Sequence, residues 1–150
     1  RSSDLCSKLN GIALVARLMN DSQIVWKVDG TGALMANGQS AGIPKELRDH
    51  CYEFLDEISR LTGMSCYHVM VNRQPAGNII PVHTDNVKGH PFRYHLPLIT
   101  NLDVAFWNSV DHWYWMGCQV WHPFNYVIPH AVVNFGPGER VHLIVDLIPF

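Results

Sequence analysis

His83, Thr84 and Asp85 stand in a row, and the same chain later carries His130 and Arg140. Two imidazoles and one carboxylate can occupy one face of an octahedral metal and leave the other face open for a co-substrate and O2. That ligand set suits mononuclear non-haem Fe(II). Arg140 then supplies a fixed charge and a planar fork, the geometry that holds a carboxylate best. An HxD triplet alone is weak in a chain with nine histidines; the spacing of the later His and Arg is what raises it.

Such residues need rigid elements to position them. From Cys66 onward, short β-rich stretches are separated by turn residues: Tyr67 to Asn72, Ile79 to His83, Arg93 to Thr100, Val104 to Trp107, Trp113 to Met116, Gln119 to Trp121, Ala131 to Phe135 and Val141 to Ile148. This pattern predicts an antiparallel barrel or sandwich. Alternation adds detail, because side chains of a strand point to opposite faces in turn. Arg93, His95 and Pro97 share one face, opposite Tyr94, Leu96 and Leu98. Arg140 and His142 share another, opposite Val141, Leu143 and Val145. Solvent-facing strands favour Lys and Glu, which are almost absent from these faces, so a barrel interior built for a dianion is the better explanation.

The stretches Arg93-Tyr94-His95-Leu96-Pro97-Leu98, His130-Ala131-Val132-Val133-Asn134 and Arg140-Val141-His142-Leu143-Ile144-Val145-Asp146 resemble the aspartyl/asparaginyl β-hydroxylase family of Fe(II)/2-oxoglutarate-dependent oxygenases. The resemblance covers roughly Tyr67 to Asp146. It implies a mainly β fold with flanking helices, a double-stranded β-helix of the jelly-roll or cupin-like kind, with Fe(II) held by His83, Asp85 and His130. It also implies that Arg140 binds the distal carboxylate of the co-substrate 2-oxoglutarate, and that Arg93 and His95 contact 2-oxoglutarate or the substrate. Well-known animal members lack the metal carboxylate, whereas Asp85 restores it here, so hydroxylation of protein Asp or Asn does not carry over on the family name. The substrate is left between an Asp/Asn side chain of a peptide or protein and a small amino-acid-like metabolite.

Length and charge agree with a small enzyme. At 150 residues the chain fits one domain, 1–150. A net charge of -2 offers no basic patch for nucleic acid. No apolar run approaches the roughly 20 residues of a membrane span, since Ile12 to Met19 is short and carries Arg17. Cys6, Cys51, Cys66 and Cys118 form no CxxC pair and read as free thiols in a reducing, cytoplasmic compartment. Asn20-Asp21-Ser22 matches a glycosylation acceptor but no secretory signal precedes it, and the chain does not begin with Met.

Ahead of the β-rich part, Pro44 to Thr62 carries Leu47, Cys51, Phe54, Leu55, Ile58 and Leu61 on one stripe, with Pro44 at a starting position and Gly63 past the end. This predicts an amphipathic helix lying across the outside of a sheet. Ile24 to Val28 predicts a strand, and Gly30 to Gly42 a loop. Trp107, Trp113, Trp115 and Trp121 read mostly as core, and the remaining histidines as packing or surface groups.

Each site residue also has a plainer account. His83 and Asp85 could form a turn, His130 could be a buried hydrogen-bonded side chain, and Arg140 could pair with Glu139 or Asp146. Two further classes of function use the same residues: a cupin-like Zn, Mn or Ni enzyme with isomerase, lyase or hydrolase chemistry, and a non-catalytic small-molecule binding barrel. Neither requires a carboxylate clamp ten residues after the distal ligand, so Arg140 separates them from the oxygenase.

Overall fold

The computed structural model describes residues 23–28, 34–36, 45–118 and 120–150. Strands β1 (Gln23–Val28) and β2 (Leu34–Ala36) precede helix α1 (Lys45–Thr62). Eight strands follow: β3 (Met64–Gln74), β4 (Ile79–His83), β5 (Phe92–Ile99), β6 (Val104–Asn108), β7 (His112–Tyr114), β8 (His122–Phe124), β9 (His130–Asn134) and β10 (Arg140–Pro149). Pro44, most of Gly30 to Gly42, the Asn20 site, Cys6 and Gln119 lie outside the described residues.

Helix α1 buries Phe54, Leu55 and Ile58, the middle of the expected stripe, and packs on β3. Leu61 shares the spacing yet is exposed, because it stands in the last turn, where the chain reverses. Gly63 makes that reversal at φ 67°, with its N–H donating to the Ser59 carbonyl at 2.8 Å. A left-handed residue just past a helix end is where glycine is favoured.

The strands form two antiparallel sheets, ordered β2-β1-β3-β10-β5-β8 and β4-β9-β6-β7. They face each other as a double-stranded β-helix. Val141, Leu143, Val145 and Leu147 of β10 are fully buried on the face opposite Arg140, His142, Ile144 and Asp146. Because successive side chains alternate, the first set meets the helix side and the second set points between the sheets. There, Phe106 of the smaller sheet stacks on His142 of the larger (centroids 5.5 Å apart) and meets the edge of His95 at 6.0 Å. Val104, Phe106, Met116 and Val132 form the apolar cluster beneath it.

Two expectations need correction. The strand expected at Gln119 to Trp121 is instead β8, His122–Phe124, with Pro123 at its centre. Pro lacks the N–H that an interior strand must donate, but β8 is the outermost strand of its sheet and needs none on its free side. Trp113 and Trp115 are exposed rather than core, Trp113 because β7 is likewise an edge strand with one face uncovered.

Strand register gathers the site at one end of the barrel. In the smaller sheet His83 pairs with His130, His130 with Asn108, and Asn108 with His112. In the larger sheet His68 pairs with Asp146, Asp146 with Arg93, and Arg93 with Phe124. Phe124 and His130 touch across the gap, with ring centroids 5.1 Å apart, so both rows lie on the same rim.

Candidate metal centre and anion pocket

His83 closes β4, His130 opens the neighbouring β9, and their rings lie 4.3 Å apart. An irregularity in pairing between Ile80 and His83 places an extra residue in β4. Such a bulge decides which face the following side chain takes. Asp85 follows as the chain leaves the strand, its N–H donating to the Tyr126 carbonyl at 3.0 Å. Its Oδ2 stands 3.2 Å from His130 Nε2 and its Oδ1 stands 3.6 Å from His83 Nε2. One ligand atom from each of the three lies within 4.8 Å of the others. Neighbouring ligands on an octahedral metal stand about 3 Å apart, so the trio needs little movement to close on an ion.

The imidazoles are held in the form a metal requires. His83 Nδ1 donates to the Pro81 carbonyl at 2.7 Å, and His130 Nδ1 donates to the Ile128 carbonyl at 2.8 Å. With Nδ1 turned to a backbone carbonyl, Nε2 is the atom that each ring aims at the common point, the arrangement seen in metal-ligating histidines. The donor set therefore fits a metal ion.

A cavity of about 430 Å³ runs inward from this trio, bounded by Asn72, Arg93, His95, Phe106 and, at its inner end, Arg140. Arg140 is 2% exposed. Its Nε donates to Gln74 Oε1 at 2.8 Å and one terminal nitrogen to Asn72 Oδ1 at 3.1 Å. The other terminal nitrogen is buried without a partner. Among the described residues no carboxylate pairs with Arg140: Glu139 pairs with Arg73 at 3.0 Å, and Asp146 with Arg93. Burial without a counter-charge pushes the guanidinium down to about 10. It remains a cation at neutral pH, and a buried cation without a counter-charge is strongly unfavourable unless an anion joins it.

Arg93 is placed differently. Its Nε and one terminal nitrogen hold both oxygens of fully buried Asp146, at 2.7 and 3.0 Å, and its guanidinium lies 4.8 Å from the centre of the Tyr126 ring. The remaining terminal nitrogen faces Asp85 Oδ2 at 3.6 Å. His95 is buried beside the cavity with its Nδ1 2.9 Å from Nδ1 of His142, so one ring donates to the other. Burial first, then the charge of Arg140, holds both histidines well below their ordinary value.

Both rings therefore stay neutral near pH 7. The unfolded chain takes up these protons near pH 6.5 and the folded chain resists them, so their contribution is present above that value and lost as the pH falls below it. Each ring then costs about 1.4 kcal/mol per pH unit. Denaturant unfolding should show stability dropping from pH 7 to pH 5; a flat profile would show that these imidazoles can charge in the fold.

Residues 13–149 match the family model of aspartyl/asparaginyl β-hydroxylase. The chain belongs to the aspartyl/asparaginyl β-hydroxylase family. Membership supports a hydroxylase of the 2-oxoglutarate oxygenase kind. No curated protein sequence matches it. Among solved structures, a Pseudomonas putida prolyl-4-hydroxylase is similar with a TM-score of 0.55 at 12% identity, over 97% of this chain and 88% of that one. IDO from Bacillus thuringiensis gives 0.54 at 12% identity, over 97% and 86%. Both support the fold. The DMSP lyase DddQ from Ruegeria pomeroyi DSS-3 matches at 17% identity and 0.43; the chain spans 47% of that protein, and 57% of this chain is covered.

Several residues that build this β-hydroxylase-family site escaped the sequence reading. Asn72 and Gln74 hold the guanidinium of Arg140, and Gln74 Nε2 also donates to the Asn78 and Val132 carbonyls. Asn134 is fully buried, its Nδ2 donating to the carbonyls of Gln74 and Gly138 and its Oδ1 accepting from the Gly136 N–H. A side chain at Gly136 would run into Asn101. The inward face of β3 was a signal that could have revealed Asn72 and Gln74, since both share the parity of Met70.

Proposed function

We propose that this protein is an Fe(II)/2-oxoglutarate-dependent dioxygenase that hydroxylates an unactivated C–H bond, with His83, Asp85 and His130 as metal ligands and Arg140 as the carboxylate clamp. The observation that carries this reading is the buried, unpaired nitrogen of Arg140 at the far end of the cavity that opens at the trio. A metal enzyme whose ligand carries no carboxylate has no use for it. Bound iron and 2-oxoglutarate supply the oxidising step, in which O2 is consumed and 2-oxoglutarate leaves as succinate and CO2.

The chain's own share is binding and exclusion. Arg140 anchors the distal carboxylate in a site from which water is largely removed, where a charge-assisted pair is strongest. Neutral His95 and the Phe106 ring wall the space between clamp and metal and add no competing charge. Anaerobic addition of Fe(II) and 2-oxoglutarate should produce a weak visible charge-transfer band. Absence of that band, with metal bound, would favour a metalloenzyme of another class.

The substrate has room on the same rim. A second cavity of about 850 Å³ adjoins the first through Arg93 and Phe124, bounded by Tyr94, Asp111, Tyr114, Asn125 and Val127. A free amino acid would fill only a small part of such a space, which leaves room for a peptide segment. Asp- or Asn-containing peptides should stimulate succinate release, whereas free Asp and Asn should not. Val127→Arg, a change at an exposed wall position, should weaken that stimulation severalfold and leave succinate release without peptide unaltered. Equal stimulation by the free amino acids would reverse the assignment.

A further inference from the structure

His95 and His142 are brought together by strand register. An irregularity between Val141 and His142 sets His142 opposite Pro97 on β5, so His95, two residues away on the same face, is its diagonal neighbour. Diagonal pairs on adjoining strands lie within reach of ring side chains. Nδ1 of one ring stands 2.9 Å from Nδ1 of the other, so a single proton lies between them. His142 is fully buried and stacked on Phe106, and its Nε2 has no hydrogen-bond partner among the described residues. His95 borders the cavity, and with Nδ1 taken by His142 its Nε2 is the nitrogen left to face it.

Two arrangements of the protons satisfy this contact. Both rings are neutral, because burial and the nearby charge of Arg140 oppose protonation, so each carries one proton. If His95 donated, the proton of His142 would sit on Nε2, an N–H sealed in the core with no acceptor among the described residues. If His142 donates, the unmatched atom is a bare lone pair. Orphaned buried N–H groups are rarer than orphaned acceptors, so the second arrangement wins. It leaves the proton of His95 on Nε2, at the cavity. Resting on the co-substrate reading above, we infer that His142 is a positioning residue that fixes this tautomer, so that His95 offers 2-oxoglutarate an N–H donor. In the opposite tautomer His95 would turn a lone pair toward a carboxylate and repel it. A neutral donor adds a hydrogen bond beside Arg140 without burying a second charge.

Nitrogen-15 correlation spectra of the histidine side chains in metal-free protein at neutral pH read the tautomer directly, with His95→Gln to assign the resonances. The parent should show His95 protonated on Nε2 and His142 on Nδ1. His142→Asn keeps an N–H donor near the place of Nδ1 and should preserve the His95 tautomer; His142→Leu removes it, and His95 should then show both tautomers. At saturating Mn(II), the affinity for 2-oxoglutarate should fall about 3–10-fold in His142→Leu, the worth of one hydrogen bond, and stay within about twofold in His142→Asn. Mn(II) affinity without 2-oxoglutarate should hold in both. His95 protonated on Nδ1 in the parent overturns the inference, as does unchanged 2-oxoglutarate affinity in folded His142→Leu. Should His142→Leu unfold, the parent spectrum decides alone. A parent protein that binds no 2-oxoglutarate is a different failure, that of the co-substrate reading itself.

Discussion

His130→Ala is expected to abolish Fe(II) binding and, with it, 2-oxoglutarate turnover, while far-ultraviolet circular dichroism still reports a folded β protein. On the proposed assignment the imidazole is one of two nitrogen ligands; it is already oriented by the Ile128 carbonyl and stands 3.2 Å from Asp85. Among the described residues, His95 cannot take its place, since it is engaged with His142. His83→Ala should behave alike. Asp85→Ala is the graded case: the family resemblance includes members that lack this carboxylate, so weakened iron binding with a large loss of activity is expected. Full turnover by His130→Ala, measured as succinate release, would remove the residue from the metal centre.

Arg140→Ala should raise the 2-oxoglutarate concentration needed for half-saturation by tens to thousands of fold, the equivalent of about 2–5 kcal/mol for a buried charge-assisted pair. Arg140→Lys should lie between, because the ammonium keeps the charge and loses the planar fork that Gln74 and Asn72 hold in position. Metal affinity without co-substrate should scarcely move in either variant. Raising the pH toward about 10 neutralises the empty clamp, so co-substrate binding should weaken there as well. Isothermal titration of the apo and Mn(II) forms would separate these outcomes. Undiminished binding by Arg140→Ala would place the clamp elsewhere.

Strand periodicity made much of this fold legible. The faces of β5 and β10 were readable because Arg and His at alternate positions are unusual on a solvent face, and His83, Asp85, His130 and Arg140 do bound one cavity. What local pattern could not show was pairing between distant strands. Whether Asp146 met Arg140 or Arg93 depended on the antiparallel register of β10 against β5, which sets Asp146 opposite Arg93 and leaves Arg140 at the far end. Asn72, Gln74 and Asn134 were missed for a related reason: an amide in a strand has no periodic signature, and its importance arises from backbone carbonyls supplied by other segments. A strand centred on Pro123 is possible because β8 lies at an edge, which only the sheet order reveals.

The direct pairing of His83 with His130 across β4 and β9 has a thermal consequence. Opposed side chains on adjoining strands start from Cβ atoms about 4.5–5.5 Å apart, and the pairing resumes at His83 after the bulge. Warming can agitate the turns around the rim without spreading these two ligands. Iron retention on heating should therefore follow the melting of the smaller sheet as one cooperative event, with no gradual leak at lower temperature; hydrogen exchange at Val132 and Val133 would serve as its gauge.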